Sequence, residues 1–137
     1  MKLFQTSSED ETIDLGRRIA AGLPPRCVIL LIGNLGAGKT TITKGIVNGL
    51  GAAELDEVSS PTFTLIHEYG DGRVYHIDLY RLDTEAQIAS LGLEEIMDRD
   101  AVMLVEWGER FPELWPPGTI RIELRATGDD SREIQVS

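Results

Sequence analysis

The sequence predicts an α/β fold, and three observations carry that reading. The run Cys27 to Ile32 is continuously apolar and rich in β-branched residues, which suits a strand buried on both faces of a parallel sheet. It leads directly into a Gly-rich loop, Gly33 to Gly38, and then into a helical stretch from Lys39 to Leu50 with Gly51 as its stop. A second buried apolar strand, Ala101 to Val105, ends on the acidic Glu106. At 137 residues the chain fits one domain over positions 1–137. A domain of that length buries roughly two thirds of its unfolded surface, enough for a true core.

The remaining elements follow in order. Leu3 to Thr6 reads as a short strand and Ser8 to Gly22 as a helix. Ser8 stands at the cap with Glu11 at capping-box spacing, and Leu15, Ile19 and Leu23 recur on one face. Pro24-Pro25 stops that helix. Asp56 to Pro61 is a polar loop. Thr62 to Tyr69 and Arg73 to Tyr80 flank Gly70-Asp71-Gly72, a hairpin signal. Asp83 is placed to cap a helix from Thr84 to about Leu91, and Leu93 to Met97 forms a short one. After Glu106 a turn or short helix runs to Trp115 and is broken by Pro116-Pro117-Gly118. Thr119 to Arg125 alternates as a strand, with Glu133 to Val136 as its hairpin partner. No repeat, low-complexity tract or long linker divides the chain.

Composition narrows the function classes. Thirteen Lys+Arg against 23 Asp+Glu give a formal net charge of −10. Autonomous grip on nucleic acid, which is driven by neutralised phosphates and released counterions, is disfavoured, as is docking on an anionic membrane. Cys27, the only cysteine, excludes an intramolecular disulfide and a Cys-rich zinc site, and its apolar surroundings make it a small buried hydrophobe rather than a reactive thiol. No segment reads as a signal peptide or reaches the ~18 apolar residues of a membrane helix, so a cytoplasmic protein is expected.

The chemistry centres on Gly33-Asn34-Leu35-Gly36-Ala37-Gly38-Lys39-Thr40, which matches G-x-x-x-x-G-K-[ST] at every fixed position. Glycines let the backbone wrap phosphate oxygens with inward N–H groups, and the positive end of the following helix faces the same anion. Asn34, Leu35, Gly36, Ala37 and Gly38 are therefore candidate nucleotide-binding residues. Lys39 brings a compact charge to the β- and γ-phosphates, and Thr40 a hydroxyl for Mg²⁺. Thr41 either assists or is a plain helix residue.

A nucleotide site also needs an acid at a strand end. Glu106, after Val102 to Val105, and Asp78, after Val74 to Ile77, are the two candidates to hold Mg²⁺ or orient water. Ser59-Ser60-Pro61-Thr62-Phe63 lies between the loop and these acids; it reads either as a switch-like segment or as an ordinary strand entry. Trp107 is either a stacking group or a core residue. His67 and His76 have no Cys/His cluster beside them and read as structural or surface groups, and Tyr75, Tyr80 and Phe63 read as core. No Asn-Lys-x-Asp or Asp-x-x-Gly signature is present, which leaves ATP rather than GTP as the nucleotide. The absence of an Arg-rich lid and acceptor subdomain argues for an ATPase working on a partner over a small-molecule kinase. A regulatory module that binds nucleotide without hydrolysis is the non-enzymatic alternative.

Four segments together resemble the TsaE family: Gly33 to Thr41, Ser60-Pro61-Thr62-Phe63, His76-Ile77-Asp78-Leu79-Tyr80-Arg81-Leu82 and Val105-Glu106-Trp107. Gly108 then stands where relatives commonly carry proline. The resemblance implies a P-loop NTPase domain with a mixed parallel/antiparallel sheet flanked by helices. It implies weak ATP hydrolysis alone, with ATP and Mg²⁺, and action with TsaD and TsaB in tRNA threonylcarbamoyladenosine (t6A) formation, tRNA being met only through that complex. By motif, Lys39 and Thr40 hold phosphate and Mg²⁺, Thr62 lies in the switch-like loop, Asp78 and Glu106 are the catalytic and Mg²⁺-linked acids, and Trp107 lies beside the nucleotide and partner surface.

Overall fold

The computed structural model describes residues 1–137. Seven strands form one mixed sheet in the order β1-β7-β6-β2-β5-β4-β3. Its middle is parallel: β2 (Cys27–Ile32) lies between β5 (Val102–Glu106) and β6 (Ile120–Ala126), and β4 (Val74–Asp78) pairs with β5. The edges are antiparallel, with β3 (Ile66–Tyr69) on β4, and β7 (Arg132–Val136) between β6 and β1 (Lys2–Thr6). Every residue of β4 and β5 is buried, the polar His76, Asp78 and Glu106 included, in a sheet covered on both faces.

Alternation along the strands sorts two cores. Ile29, Leu31, Val74, Leu104 and Ile122 face the helices α1 (Glu9–Ala21) and α2 (Lys39–Gly49), packing with Leu15, Ile42 and Ile46. Val28, Leu30, Tyr75, Ile77, Met103 and Val105 face the short helices α3 (Glu85–Ala89) and α4 (Leu93–Met97), with Ile88, Leu93 and Ile96. Cys27, at the start of β2, is half-buried, and burial pushes its thiol above the ordinary value; it packs as a small hydrophobe. No helix is long and apolar enough to cross a membrane.

Differences from the sequence reading are local and have identifiable causes. The segment 62–65 is a turn, not the start of β3: the Leu65 N–H donates to the Pro61 carbonyl at 2.7 Å and Leu65 adopts φ 70°. β4 ends at Asp78 rather than Tyr80, because the Asp78 carboxylate accepts the Tyr80 N–H at 2.9 Å and turns the chain. Thr84, not Asp83, caps α3, in a reciprocal box with Gln87. Ser8 caps α1 as expected, accepting the Glu11 N–H, but the Glu11 carboxylate reaches back to Ser7 instead of Ser8. At the start of the stretch read as loop, Asp56 to Pro61, a 3-10 turn spans Leu55–Glu57. Phe63 and Tyr80 are not core: they are 86% and 57% exposed, whereas Tyr75 is buried as expected.

The α1–α2 crossing is closed by glycine. A Cβ on Gly16 would lie 2.6 Å from the Ile42 carbonyl oxygen, and one on Gly45 would fall onto the Ile13 carbonyl oxygen. Both obstacles are backbone, which cannot rotate away. Gly45→Ala is therefore expected to destabilise the fold by about 3 kcal/mol, toward the upper end for overpacking. The check is urea unfolding: the midpoint falls with an unchanged slope, and an unmoved midpoint contradicts so close a crossing.

Candidate functional site

The three central strands β2, β5 and β4 run parallel and end along one edge of the sheet. Glu106 is the register partner of both Leu31 on β2 and Asp78 on β4. The two carboxylates thus sit side by side, and the phosphate loop starts two residues past Leu31. Ligands of open α/β sheets settle at such carboxyl ends. A cleft of about 750 Å³ opens there, lined by Lys39, Thr40, Thr62, Asp78, Glu106 and Trp107 among others. A groove of equal volume at the opposite ends of β2 and β5, lined by Arg26, Cys27, Met103 and Trp115 among others, contains none of the motif residues.

The loop owes its shape to glycine. Gly36 and Gly38 hold φ of 81° and 104°, a region costly for residues with a Cβ. The Ala37 N–H donates to the Asn34 carbonyl at 3.0 Å, closing the turn. Ala37 points its methyl into the α1–α2 core, while Leu35 at the tip is 95% exposed. Of the eight loop and helix-start residues expected to bind nucleotide, Leu35, Gly36, Gly38, Lys39, Thr40 and Thr41 line the cleft, and the side chains of Asn34 and Ala37 do not.

Helix α2 begins with no side-chain cap and no acid in its first turn, and Lys39 sits there, 7% exposed. A cation at the positive end of a helix is unfavourable by itself. Its partners offset this: Lys39 Nζ is 3.7 Å from Glu106 Oε1 and 4.3 Å from the Trp107 ring centroid. Trp107 adopts φ 65°, a left-handed conformation that turns its half-buried ring to the cleft, where it meets Tyr80 with centroids 5.1 Å apart. Trp107 thus lines the cleft and also packs against the α3–α4 core, sharing features of both readings.

The acids are buried and held. Asp78 Oδ1 accepts the Tyr80 N–H, and Oδ2 accepts the Thr62 hydroxyl at 3.4 Å. Thr62 also hydrogen-bonds Ser60 at 2.8 Å, so the Ser60–Phe63 segment is tied to the end of β4. At its other side the Tyr69 hydroxyl accepts the Ser59 N–H at 3.4 Å, and His67 lies 3.3 Å from both that hydroxyl and the Ser59 carbonyl, a structural role. Burial raises the Tyr69 phenol above its ordinary value; the Ser59 N–H opposes the rise, and the Glu57 charge adds to it.

Two site residues escaped the sequence reading. His76 is fully buried, and its Nε2 lies 2.6 Å from Glu106 Oε2. Its position two residues before Asp78 on a strand places both on one sheet face, a signal present in the period-2 pattern. Arg132, on β7, lines the cleft, donates to the Gly36 carbonyl at 3.1 Å and is braced by the carbonyls of Gly128, Asp129 and Ser131. Nearly a hundred residues separate it from the loop, and no local pattern announces the contact.

The donor set fits a nucleotide with Mg²⁺. An uncapped helix start and a buried lysine suit phosphate, and Thr40 with a strand-end carboxylate suits Mg²⁺, which takes one or two protein oxygens plus phosphates rather than an all-protein cage. No group of three or more His, Cys, Asp or Glu side chains is arranged to hold a metal ion by itself.

A G-x-x-x-x-G-K-T loop between a central parallel strand and a helix, facing acids on the adjacent strands, defines a P-loop protein. The family model "Threonylcarbamoyl adenosine biosynthesis protein TsaE" matches residues 6–134. The TsaE protein of Bacillus subtilis is 43% identical over 96% of this chain and 82% of its own, and that of Treponema pallidum 38% identical over the whole of both. The crystal structure of Bacillus subtilis YdiB superposes with a TM-score of 0.76 at 38% identity, covering 97% of this chain and 82% of that one. The chain belongs to the TsaE family, whose members take part in t6A tRNA biosynthesis.

Arg132 supplies a check on the loop. Arg132→Ala removes the clamp on the Gly36 carbonyl, a charge-assisted bond at an exposed site contributing about 1 kcal/mol. Amide exchange at Ala37 should quicken about fivefold while that of β2 is unchanged, as followed by NMR. An unchanged Ala37 rate contradicts the clamp.

Proposed function

We propose that this protein binds ATP with Mg²⁺ and hydrolyses it, as the cytoplasmic accessory subunit that supports repeated turnover of a TsaD–TsaB threonylcarbamoyl transferase in t6A formation. The observation that carries this reading is the buried Glu106 beside Lys39 at the mouth of the phosphate loop, each about 5% exposed or little more. A paired cation and acid at a strand end are what phosphoryl transfer to water requires: one to hold the phosphates, one to act on the nucleophile.

In this reading the α2 N–H groups and Lys39 hold the β- and γ-phosphates. Thr40 and Glu106 would hold Mg²⁺, which would supply positive charge against that developing on the phosphates. Glu106 also orients the attacking water and accepts its proton. Asp78 fixes Thr62 and so sets the Ser60–Phe63 segment against the cleft. Trp107 and Tyr80 form the aromatic wall next to Lys39. With a net charge of −10, the protein leaves tRNA contact to its partners.

Two experiments test the proposal. Lys39→Ala should abolish ATP binding, whereas Glu106→Ala should retain binding and lose about 10²–10⁴-fold in phosphate release. Unchanged turnover in both variants removes the site assignment. In reconstitution with TsaD, TsaB, tRNA and threonylcarbamoyl-adenylate, the wild-type protein and ATP together should raise modification beyond one turnover per transferase. A yield independent of either one contradicts the accessory role.

A further inference from the structure

Glu106 has two carboxylate oxygens with different company. Oε1 faces Lys39 at 3.7 Å, and Oε2 faces His76 Nε2 at 2.6 Å. His76 is 0% exposed, and its other ring nitrogen, Nδ1, has no hydrogen-bond partner. A buried imidazole with one nitrogen unpaired is a poor choice for packing alone, since desolvating a polar group without a partner is costly. Position 76 lies opposite Leu104 and two residues from Val74 on the face packed against α1 and α2, where an aliphatic side chain would carry no such cost. What histidine adds there is one hydrogen bond, and it goes to Glu106.

We propose that His76 is a positioning residue: its Nε2–H holds Oε2 of Glu106 so that Oε1 alone is presented to Lys39 and the cleft. The proposal rests on the reading that Glu106 serves ATP hydrolysis. The tautomer follows from the surroundings. An ionised carboxylate only accepts, so Nε2 carries the proton, and the unpartnered Nδ1 is a lone pair rather than a stranded N–H. Held this way, Glu106 is kept from rotating both oxygens onto Lys39. A closed Lys39–Glu106 pair would occupy at once the cation meant for phosphate and the carboxylate meant for water. Partners of this kind, which orient a working ligand through its other atom, typically change activity 10–100-fold when removed.

Side-chain length gives the test. The amide nitrogen of Gln reaches the place of a histidine Nε2, whereas that of Asn reaches only the place of Nδ1. Wild type, His76→Gln, His76→Asn and His76→Leu are compared in the full chain by steady-state ATP hydrolysis, ADP affinity, thermal melting and, for wild type, ¹⁵N NMR of the imidazole ring. We expect kcat to fall about 10–100-fold in Asn and Leu, to be largely restored in Gln, and ADP affinity to change little in any of them. The ring should show the Nε2–H tautomer. Equal kcat in all four proteins overturns the proposal. So does an equal loss in Gln, Asn and Leu that follows their melting temperatures, which marks a purely structural residue. A neutral ring that carries its one proton on Nδ1 overturns it irrespective of activity. Wild-type protein with no hydrolysis but an Nε2–H ring would instead overturn the hydrolytic reading and leave the hydrogen bond to Glu106 standing.

Discussion

Parallel pairing of β2, β5 and β4 places Leu31, Glu106 and Asp78 in one row across the sheet. The strand that feeds the phosphate loop therefore ends level with two carboxylates, and a one-residue slip in either pairing would turn an acid to the opposite face. Register here is set by burial. β4 and β5 are covered on both sides, and their side chains alternate between two separate cores, so no shifted pairing keeps both packed. The site inherits its precision from the hydrophobic centre of the sheet rather than from the loops around it.

That precision permits a charge arrangement that is costly elsewhere. Lysine at an uncapped helix N-terminus, two adjacent buried acids and a buried imidazole each carry a desolvation or dipole penalty. They are tolerated because each offsets another: Lys39 stands against Glu106 and over Trp107, His76 binds the far oxygen of Glu106, and Asp78 is satisfied by Tyr80 and Thr62. The left-handed backbone at Trp107 belongs to the same economy, since it turns the ring onto the lysine immediately after the acid.

Much of this was legible along the chain. β2 occupies the residues its apolar run marked, and the loop and Glu106 stand where their motifs placed them. Local pattern failed where a side chain replaced backbone pairing: the Asp78 carboxylate ended β4 early, and the Pro61–Leu65 turn delayed β3. It failed also where contact depends on topology. Arg132 reaches the loop only because β7 folds back beside β6, and Phe63 and Tyr80 are exposed around the cleft although their composition suggested core. His76 lay within a noticed motif, but the bond to Glu106 needs the β4–β5 register to be known.

In the proposed reading a chain of net charge −10 holds its anion at one place, where Lys39, the α2 N-terminus and the glycine loop meet. On the same reading that geometry holds the β- and γ-phosphates rather than a nucleoside. Calorimetric titration of the full chain with ATP, ADP and AMP in the presence of Mg²⁺ tests this most directly. One ATP should bind per chain, ADP should bind comparably, and AMP at least about a hundredfold more weakly, the loss expected when a charged phosphate leaves its lysine and backbone donors. AMP binding as tightly as ATP, or no binding of any of the three, would contradict the account.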